Sequence, residues 1–145
     1  MDRPQPKLTP VAGFEGRYLT QTLAKQDQPA ITYPVIPAVV YGKTQLAQLG
    51  VTPATATQQP ETYAVSDLDL TAWYSYRRIQ DADARIKVVT ERSTQRIVGA
   101  TMLSSEAEQV INYLDFVIQN QLTPTDIEQA ILAYPTLASD LTYFG

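Results

Sequence analysis

Near the start of the chain, Val11, Phe14 and Tyr18 fall three or four residues apart, and Thr22 continues the spacing. That is a helical period, and Thr9-Pro10 ahead of it supplies an N-cap and a first-turn proline, so a helix is predicted from about Pro10 to Lys25. It contains Gly13 and Gly16, each costing about 1 kcal/mol relative to alanine, which suggests close packing against a neighbour. Residues 1–7 are polar and read as a lead-in strand or loop. Pro29, Pro34 and Pro37 give residues 26–37 an extended linker or edge-strand character. Ala38 to Tyr41 forms a short strand, Gly42-Lys43 a turn, and Thr44 to Leu49 is ambiguous. Gly50 to Gln59 is loop-like, with a possible short helix after Pro53.

From Glu61 to Leu103 the alternation is that of strands. Tyr63 and Val65 alternate, then Leu68 and Leu70, then Ala72, Tyr74 and Tyr76, and the slip after Val65 suggests a bulge or bend. Ile86, Val88 and Thr90 mark another strand, Glu91 to Gln95 a hairpin loop, and Arg96 to Leu103 the return strand, with Ile97, Gly99, Thr101 and Leu103 on one side. Ser105-Glu106-Ala107-Glu108 opens a helix with a capping box. Ala107, Val110, Ile111, Leu114, Val117 and Ile118 share one broad face, so this helix runs to about Asn120. Thr123-Pro124 repeats the cap signal for a last helix through Ile127, Ala130 and Ile131, ended by Tyr134-Pro135. The predicted class is α+β: an antiparallel sheet of three or four strands with helices packed on one face, plus an N-terminal helix.

Composition removes most chemistry. The 145 residues include no His and no Cys, and 11 Lys+Arg against 15 Asp+Glu give a net charge of −4. Disulfides, thiolate nucleophiles, Ser-His-Asp triads and imidazole or thiolate zinc sites are therefore excluded. No metal site is expected. The acidic balance argues against nucleic acid. No run approaches the roughly 18 to 20 apolar residues of a membrane span, and Met1-Asp2-Arg3-Pro4 lacks the layout of a secretory signal. The lack of Cys fits a reducing compartment, so a cytoplasmic location is expected.

Three acid pairs could form a carboxylate dyad or an oxygen-ligand metal site: Asp67/Asp69, Asp81/Asp83 and Glu106/Glu108. Solvated loops and carboxylates near a helix N-terminus explain them as well. Arg77, Arg78, Arg85, Lys87, Arg92 and Arg96, with Trp73, Tyr74 and Tyr76, could make an aromatic-basic face for a nucleotide or single strand, or simply the solvent side of a sheet. Nine Tyr and one Trp suit an interface or a core with its rim.

Three stretches, in order, resemble one family. Leu8-Thr9-Pro10-Val11-Ala12 followed by Gly16-Arg17 looks like the end of the flavin-binding region of the glutathione reductase and dihydrolipoamide dehydrogenase family, the pyridine nucleotide-disulfide oxidoreductases. Pro37-Ala38-Val39-Val40-Tyr41 through Ala47-Gln48-Leu49-Gly50-Val51-Thr52 resembles the opening strands of its C-terminal dimerisation domain. Ile97-Val98-Gly99-Ala100, Ala107, Ile111 and Leu122-Thr123 through Tyr134-Pro135-Thr136-Leu137 resemble the rest. The likeness runs from about Pro6 to about Tyr143.

The resemblance implies a C-terminal piece of a larger reductase. Residues 1–30 would be a remnant of the flavin-proximal segment and helix, and residues 31–145 the dimerisation domain. Its partners would be a second copy, in a homodimer, and the missing FAD- and NAD(P)-binding domains of a parent. FAD and NAD(P)H would belong to that parent, with no cofactor bound by the fragment. Leu8, Thr9, Pro10, Tyr134 and Pro135 would be the cofactor-binding positions in the parent only. Tyr134 takes the family's catalytic His position and Ser139 its Glu position, with Asp140 next to it. A phenol, with an ordinary pKa of about 10, is a poor base at neutral pH, but the family's backbone carbonyl at Tyr134, which reaches the partner's flavin, survives the change of side chain. Thr44-Gln45 replaces the usual Pro-Glu after the opening strand, and Glu108-Gln109 shifts the usual Glu after Ala107. The expected function is homodimerisation without catalysis by the fragment alone. The rivals are a stand-alone α+β module binding a ligand or protein through a Trp/Tyr/Arg face, and a hydrolase built on an acid pair.

Overall fold

A computed structural model describes residues 6–24 and 29–144. The lead-in over residues 1–5 and the helix end at Lys25 lie outside the described residues. The chain divides into two compact units, Met1–Ile36 and Pro37–Gly145.

In the first unit α1 spans Thr9–Ala24. Thr9 is the first helical residue, because Ala12 N already donates to Leu8 O at 3.1 Å. The proline-rich stretch after it lies back along the helix. Tyr18 donates its hydroxyl to Pro29 O at 2.9 Å, Tyr33 donates to Glu15 Oε1 at 2.7 Å, and the Phe14 and Tyr33 rings sit 5.8 Å apart. The close packing expected at the helix glycines is not there: a Cβ on Gly16 would meet nothing within 4 Å, and one on Gly13 only the end of the Arg17 side chain.

The second unit is a five-stranded antiparallel sheet in the order β1-β2-β5-β4-β3. The strands are β1 Ala38–Val40, β2 Gln45–Gly50, β3 Tyr63–Asp69, β4 Arg85–Glu91 and β5 Ile97–Ser104. Between them lie α2 Pro53–Gln58, after β2, and α3 Tyr74–Arg78, after β3. After β5 come α4 Ala107–Gln119, α5 Pro124–Glu128 and α6 Leu137–Asp140, the last running into a 3-10 turn at Leu141–Tyr143.

The core follows from matching periods. On α4, Ala107, Val110, Ile111, Leu114 and Val117 are all buried, and this helix packs on β2 and β5. The strands present Ala47, Leu49, Ile86, Val88, Ala100 and Met102, each buried and each at alternate positions of its strand. Burying such an aliphatic side chain contributes about 1.5–3 kcal/mol, so this one helix-on-sheet contact supplies most of the unit's apolar driving force. The other face of the sheet is open. There the registers align one row of side chains across all five strands: Val40, Leu46, Leu103, Arg85 and Asp69. The row is apolar at one end and charged at the other, and Val40, Leu46 and Leu103 are exposed.

The structure corrects the expected elements in five places. The ambiguous Thr44–Leu49 stretch becomes, from Gln45 on, the strand β2, held between β1 and β5. β3 pairs with β4 without a slip from Tyr63 to Asp69, and the irregularity lies between β4 and β5 instead: Val89 pairs with Gly99 but Thr90 with Ile97, which leaves Val98 as an extra residue on β5. That bulge divides the group expected on one side of β5: Ile97 is buried, while Leu103 lies on the open face and Ala100, Met102 and Ser104 are buried. Ala72–Tyr76 is not a strand. The Asp69 carboxylate accepts from Thr71 N at 3.0 Å and Thr71 Oγ1 at 2.6 Å, which turns the chain and lets α3 start at Tyr74. The last predicted helix is only the five residues of α5, because beyond it Ile131 has no apolar surface to cover and stands wholly exposed.

β2 and β5 cross at two glycines. Gly50 has φ +66°, and a Cβ there would collide with Val98 O. A Cβ on Gly99 would collide with Val51 O, beside the 2.9 Å hydrogen bond from Val51 N to Val98 O. Backbone on both sides leaves nothing soft to yield. Gly99→Ala is expected to lower unfolding free energy by about 3 kcal/mol, read from urea denaturation. Gly16→Ala, on an open helix surface, is expected to raise it by about 0.5–1 kcal/mol.

Candidate functional site

The segment that resembles the family's catalytic corner begins at Tyr134, whose peptide bond to Pro135 is cis. Thr136 then caps α6. Ser139 N donates to Thr136 Oγ1 at 3.1 Å and Thr136 N donates to Ser139 Oγ at 3.1 Å, a reciprocal capping box. Ser139 Oγ in turn donates to Thr136 O at 2.7 Å. The Ser139 hydroxyl is thus buried and spent on its own turn, whereas the Tyr134 ring is 73% exposed. This pair offers neither an activated nucleophile nor a general base.

Leu8, Thr9 and Pro10 belong to the first unit, where they line a shallow cleft of about 410 Å³ with Lys7 and Glu15. Tyr134 and Pro135 belong to the second unit. Among the described residues no glycine-rich loop precedes a helix in the manner of a dinucleotide site.

The acid pairs separate into structural roles. Asp67 and Asp69 do share the open sheet face, but Asp67 pairs with Lys87 at 3.1 Å and Asp69 with Arg85 at 3.0 Å. Hydrogen bonds from the Thr71 side chain and backbone, then Arg85, hold the Asp69 carboxyl down to about 2. Asp83 accepts from Thr44 Oγ1 at 2.8 Å. Asp81 is buried and accepts, on Oδ2, from Ser104 Oγ at 2.6 Å, Ser105 N at 2.7 Å and Ser105 Oγ at 3.0 Å. The expected Ser105 capping box is replaced by this knot. Ser104 Oγ accepts from Glu106 N at 3.0 Å, and Gln45 Oε1, from β2, accepts from Glu108 N at 3.0 Å. Among the described residues no group of three or more His, Cys, Asp or Glu is placed to hold a metal ion.

The expected aromatic-basic face is not one face. Tyr76 is fully buried, Arg85 and Lys87 are engaged on the open sheet face, and Arg92 Nε donates to Pro60 O at 2.8 Å. Trp73 and Tyr74 instead converge with residues from the C-terminal segment. Tyr134, Asp140 and Tyr143 join them around a cleft of about 310 Å³. Trp73 and Tyr143 stack edge to face at 5.7 Å, and Phe144 backs Trp73 at 6.0 Å. Asp140 is only 6% exposed, and its Oδ2 has no hydrogen-bond partner. Burial pushes its carboxyl above the usual carboxylate range, an effect the neighbouring Ser75 hydroxyl partly offsets. The Tyr76 phenol is also buried without a partner. Burial first, then the charges of Asp140, Asp81 and Glu106, push it up. Sequence reasoning named Asp140 only as the neighbour of Ser139; the one signal was an acid set among aromatics near the C-terminus.

Two pH effects of opposite sign follow. For Asp81, burial pushes upward but the hydrogen bonds from Ser104, Ser105 and Asp83 outweigh it, and the carboxyl sits below the usual carboxylate range. Its contribution is complete above the unfolded pKa and lost as pH falls through the folded one. Asp81→Ala is expected to cost about 2–3 kcal/mol at neutral pH in urea denaturation, a penalty that shrinks in strong acid. For Asp140, folding raises the pKa, so the charged form destabilises the fold at neutral pH and protonation relieves it. Asp140→Asn is expected to have a higher urea midpoint than the parent chain at pH 7, the difference closing as pH falls toward 4.

Residues 36–143 match the family described as pyridine nucleotide-disulphide oxidoreductase, dimerisation domain. An uncharacterised 19.7 kDa protein of a mercuric resistance operon in Staphylococcus aureus is 32% identical over 136 residues, covering 94% of this chain and 76% of that protein. Dihydrolipoyl dehydrogenase of Bacillus subtilis is 29% identical over 133 residues, covering 91% of this chain and 28% of the enzyme. Among solved structures, the Cu(II) complex of the HOCl-induced flavoprotein disulfide reductase RclA from Escherichia coli superposes with a TM-score of 0.86 at 20% identity, over 97% of this chain and 32% of the reductase. At that identity the likeness is one of fold. The chain spans less than a third of the length of these two enzymes. With the profile match covering most of its residues, the chain belongs to the pyridine nucleotide-disulphide oxidoreductase family, through that family's dimerisation domain.

Proposed function

We propose that this chain holds two subunits of a glutathione reductase-like flavoenzyme together, as a homodimer in the cytoplasm, and has no catalysis of its own. The observation that carries this reading is the match of residues 36–143 to a dimerisation domain in a chain without His or Cys. In this reading residues 1–30 are the remnant of a flavin-proximal segment, and residues 31–145 the dimerisation domain. FAD and NAD(P)H are held by domains of a parent enzyme. Leu8, Thr9, Pro10, Tyr134 and Pro135 help complete the partner's flavin site there. Tyr134 and Ser139 occupy the catalytic His and Glu positions without the basicity needed for thiol exchange.

The open face of the sheet is the surface best suited to self-association. Val40, Leu46 and Leu103 form an exposed apolar patch on rigid strands, and a two-fold contact needs a self-complementary patch of this kind. The segment around Tyr134-Pro135 is the second part of the proposed interface. Light scattering after size exclusion is expected to give the mass of a dimer. The substitution Leu46→Glu is expected to give a folded monomer, because the exposed side chain tolerates a charge in the single chain whereas a two-fold contact would have to bury it. A strict monomer for the unaltered chain at high micromolar concentration defeats the reading.

A further inference from the structure

The cleft between the start of α3 and the C-terminal segment is apart from the open face of the sheet and shares one residue, Tyr134, with the second part of the proposed interface. Its walls are the faces and edges of Trp73, Tyr74, Tyr134 and Tyr143, and Asp140 is set into its lining. The tyrosines are 57%, 73% and 61% exposed in that order, so the rings are open to solvent while the acid among them is not. Asp140 takes part in neither of the described ion pairs, and its Oδ2 has no hydrogen-bond partner. A buried carboxylate eased only by the neighbouring Ser75 hydroxyl, with no counter-ion among the described ion pairs, is held at a cost, and a cation entering the cleft lowers that cost.

The geometry points to a binding site for an organic cation, a substituted ammonium group, held over the Trp73 and Tyr143 rings against the Asp140 carboxylate. Three alternatives fit the lining less well. A hard metal ion needs six or more oxygen ligands, and only one carboxylate is offered here. An anion meets a carboxylate in a chain of net charge −4. A neutral apolar ligand leaves Asp140 buried and unpaired. A substituted ammonium satisfies both features at once: its charge faces the carboxylate, and its methyl or methylene groups lie on the electron-rich ring faces. The edge-to-face arrangement of Trp73 and Tyr143, at 87° between planes, presents ring surface from two directions around a compact cation.

The chain contains a single tryptophan, and it is in this cleft, so its emission reports occupancy directly. The test is a titration of the full chain at pH 7 with tetramethylammonium chloride, against sodium chloride at equal ionic strength. The expected result is a saturable change in Trp73 emission with the organic cation only. Asp140→Asn and Tyr143→Ala are each expected to weaken that binding about tenfold or more. Far-UV circular dichroism checks that both variants fold. If either does not, Tyr74→Ala and Tyr134→Ala, at exposed rings, carry the decision through the same loss. A titration indistinguishable from sodium chloride, or a folded Asp140→Asn variant that binds as the parent does, overturns the proposal. A second arm uses a short peptide bearing trimethyl-lysine. Once tetramethylammonium saturates, tighter binding of the peptide assigns the cation to a protein side chain, and tighter binding of the free ion to a small molecule. The two readings share Tyr134 but are told apart by their readouts: a monomeric chain that binds the cation retains the site, and a dimer that does not bind it loses only the site.

Discussion

One buried carboxylate ties the dimerisation domain together. Asp81 sits in the turn between α3 and β4, yet its Oδ2 gathers the end of β5 and the start of α4 through Ser104 and Ser105. That junction sets where α4 begins and therefore how its apolar stripe meets the sheet. Gln45 acts from the other side, as its side chain leaves β2 to receive Glu108 N. The helix start is thus fixed by two strands and a turn that are remote in sequence, and helix-on-sheet burial does the rest. This is a division of labour between direction and driving force: the polar knot supplies the first and the Val110, Ile111 and Leu114 face supplies the second.

What the sequence made legible was whatever depended on local spacing. The α4 stripe was clear because all its apolar positions meet one surface. Thr123-Pro124 marked a true helix start, confirmed by the reciprocal bonds between Thr123 and Asp126. Its length was misread because periodicity cannot tell whether Ile131 finds a partner, and it does not. Tyr74 and Tyr76 alternate like strand residues, but the Asp69 turn set the backbone course before their side chains could matter. In β5 both phases carry apolar residues, so only the bulge at Val98 decides which of them are buried. The candidate site was harder still. Trp73 and Asp140 lie in distant parts of the chain, and nothing local to either announces the other.

The Tyr134 to Ser139 segment holds a capped turn, with Thr136 and Ser139 serving each other's backbone. Once the Ser139 hydroxyl is engaged that way, the segment is a structural corner. The chemistry nearest to it is the charge of Asp140, one residue further on and turned toward the aromatic cleft.

The lateral strands of the sheet constrain how any assembly can form. β1 has only three residues and follows Pro37, while β3 carries Asp67 and Asp69 along its length. A short, proline-flanked strand on one border and repeated carboxylates on the other are both poor templates for an incoming chain. Uncontrolled growth of the sheet by strand addition is disfavoured at both margins. Copies of this domain can therefore meet through a broad surface of side chains while remaining protected from fibrillar polymerisation.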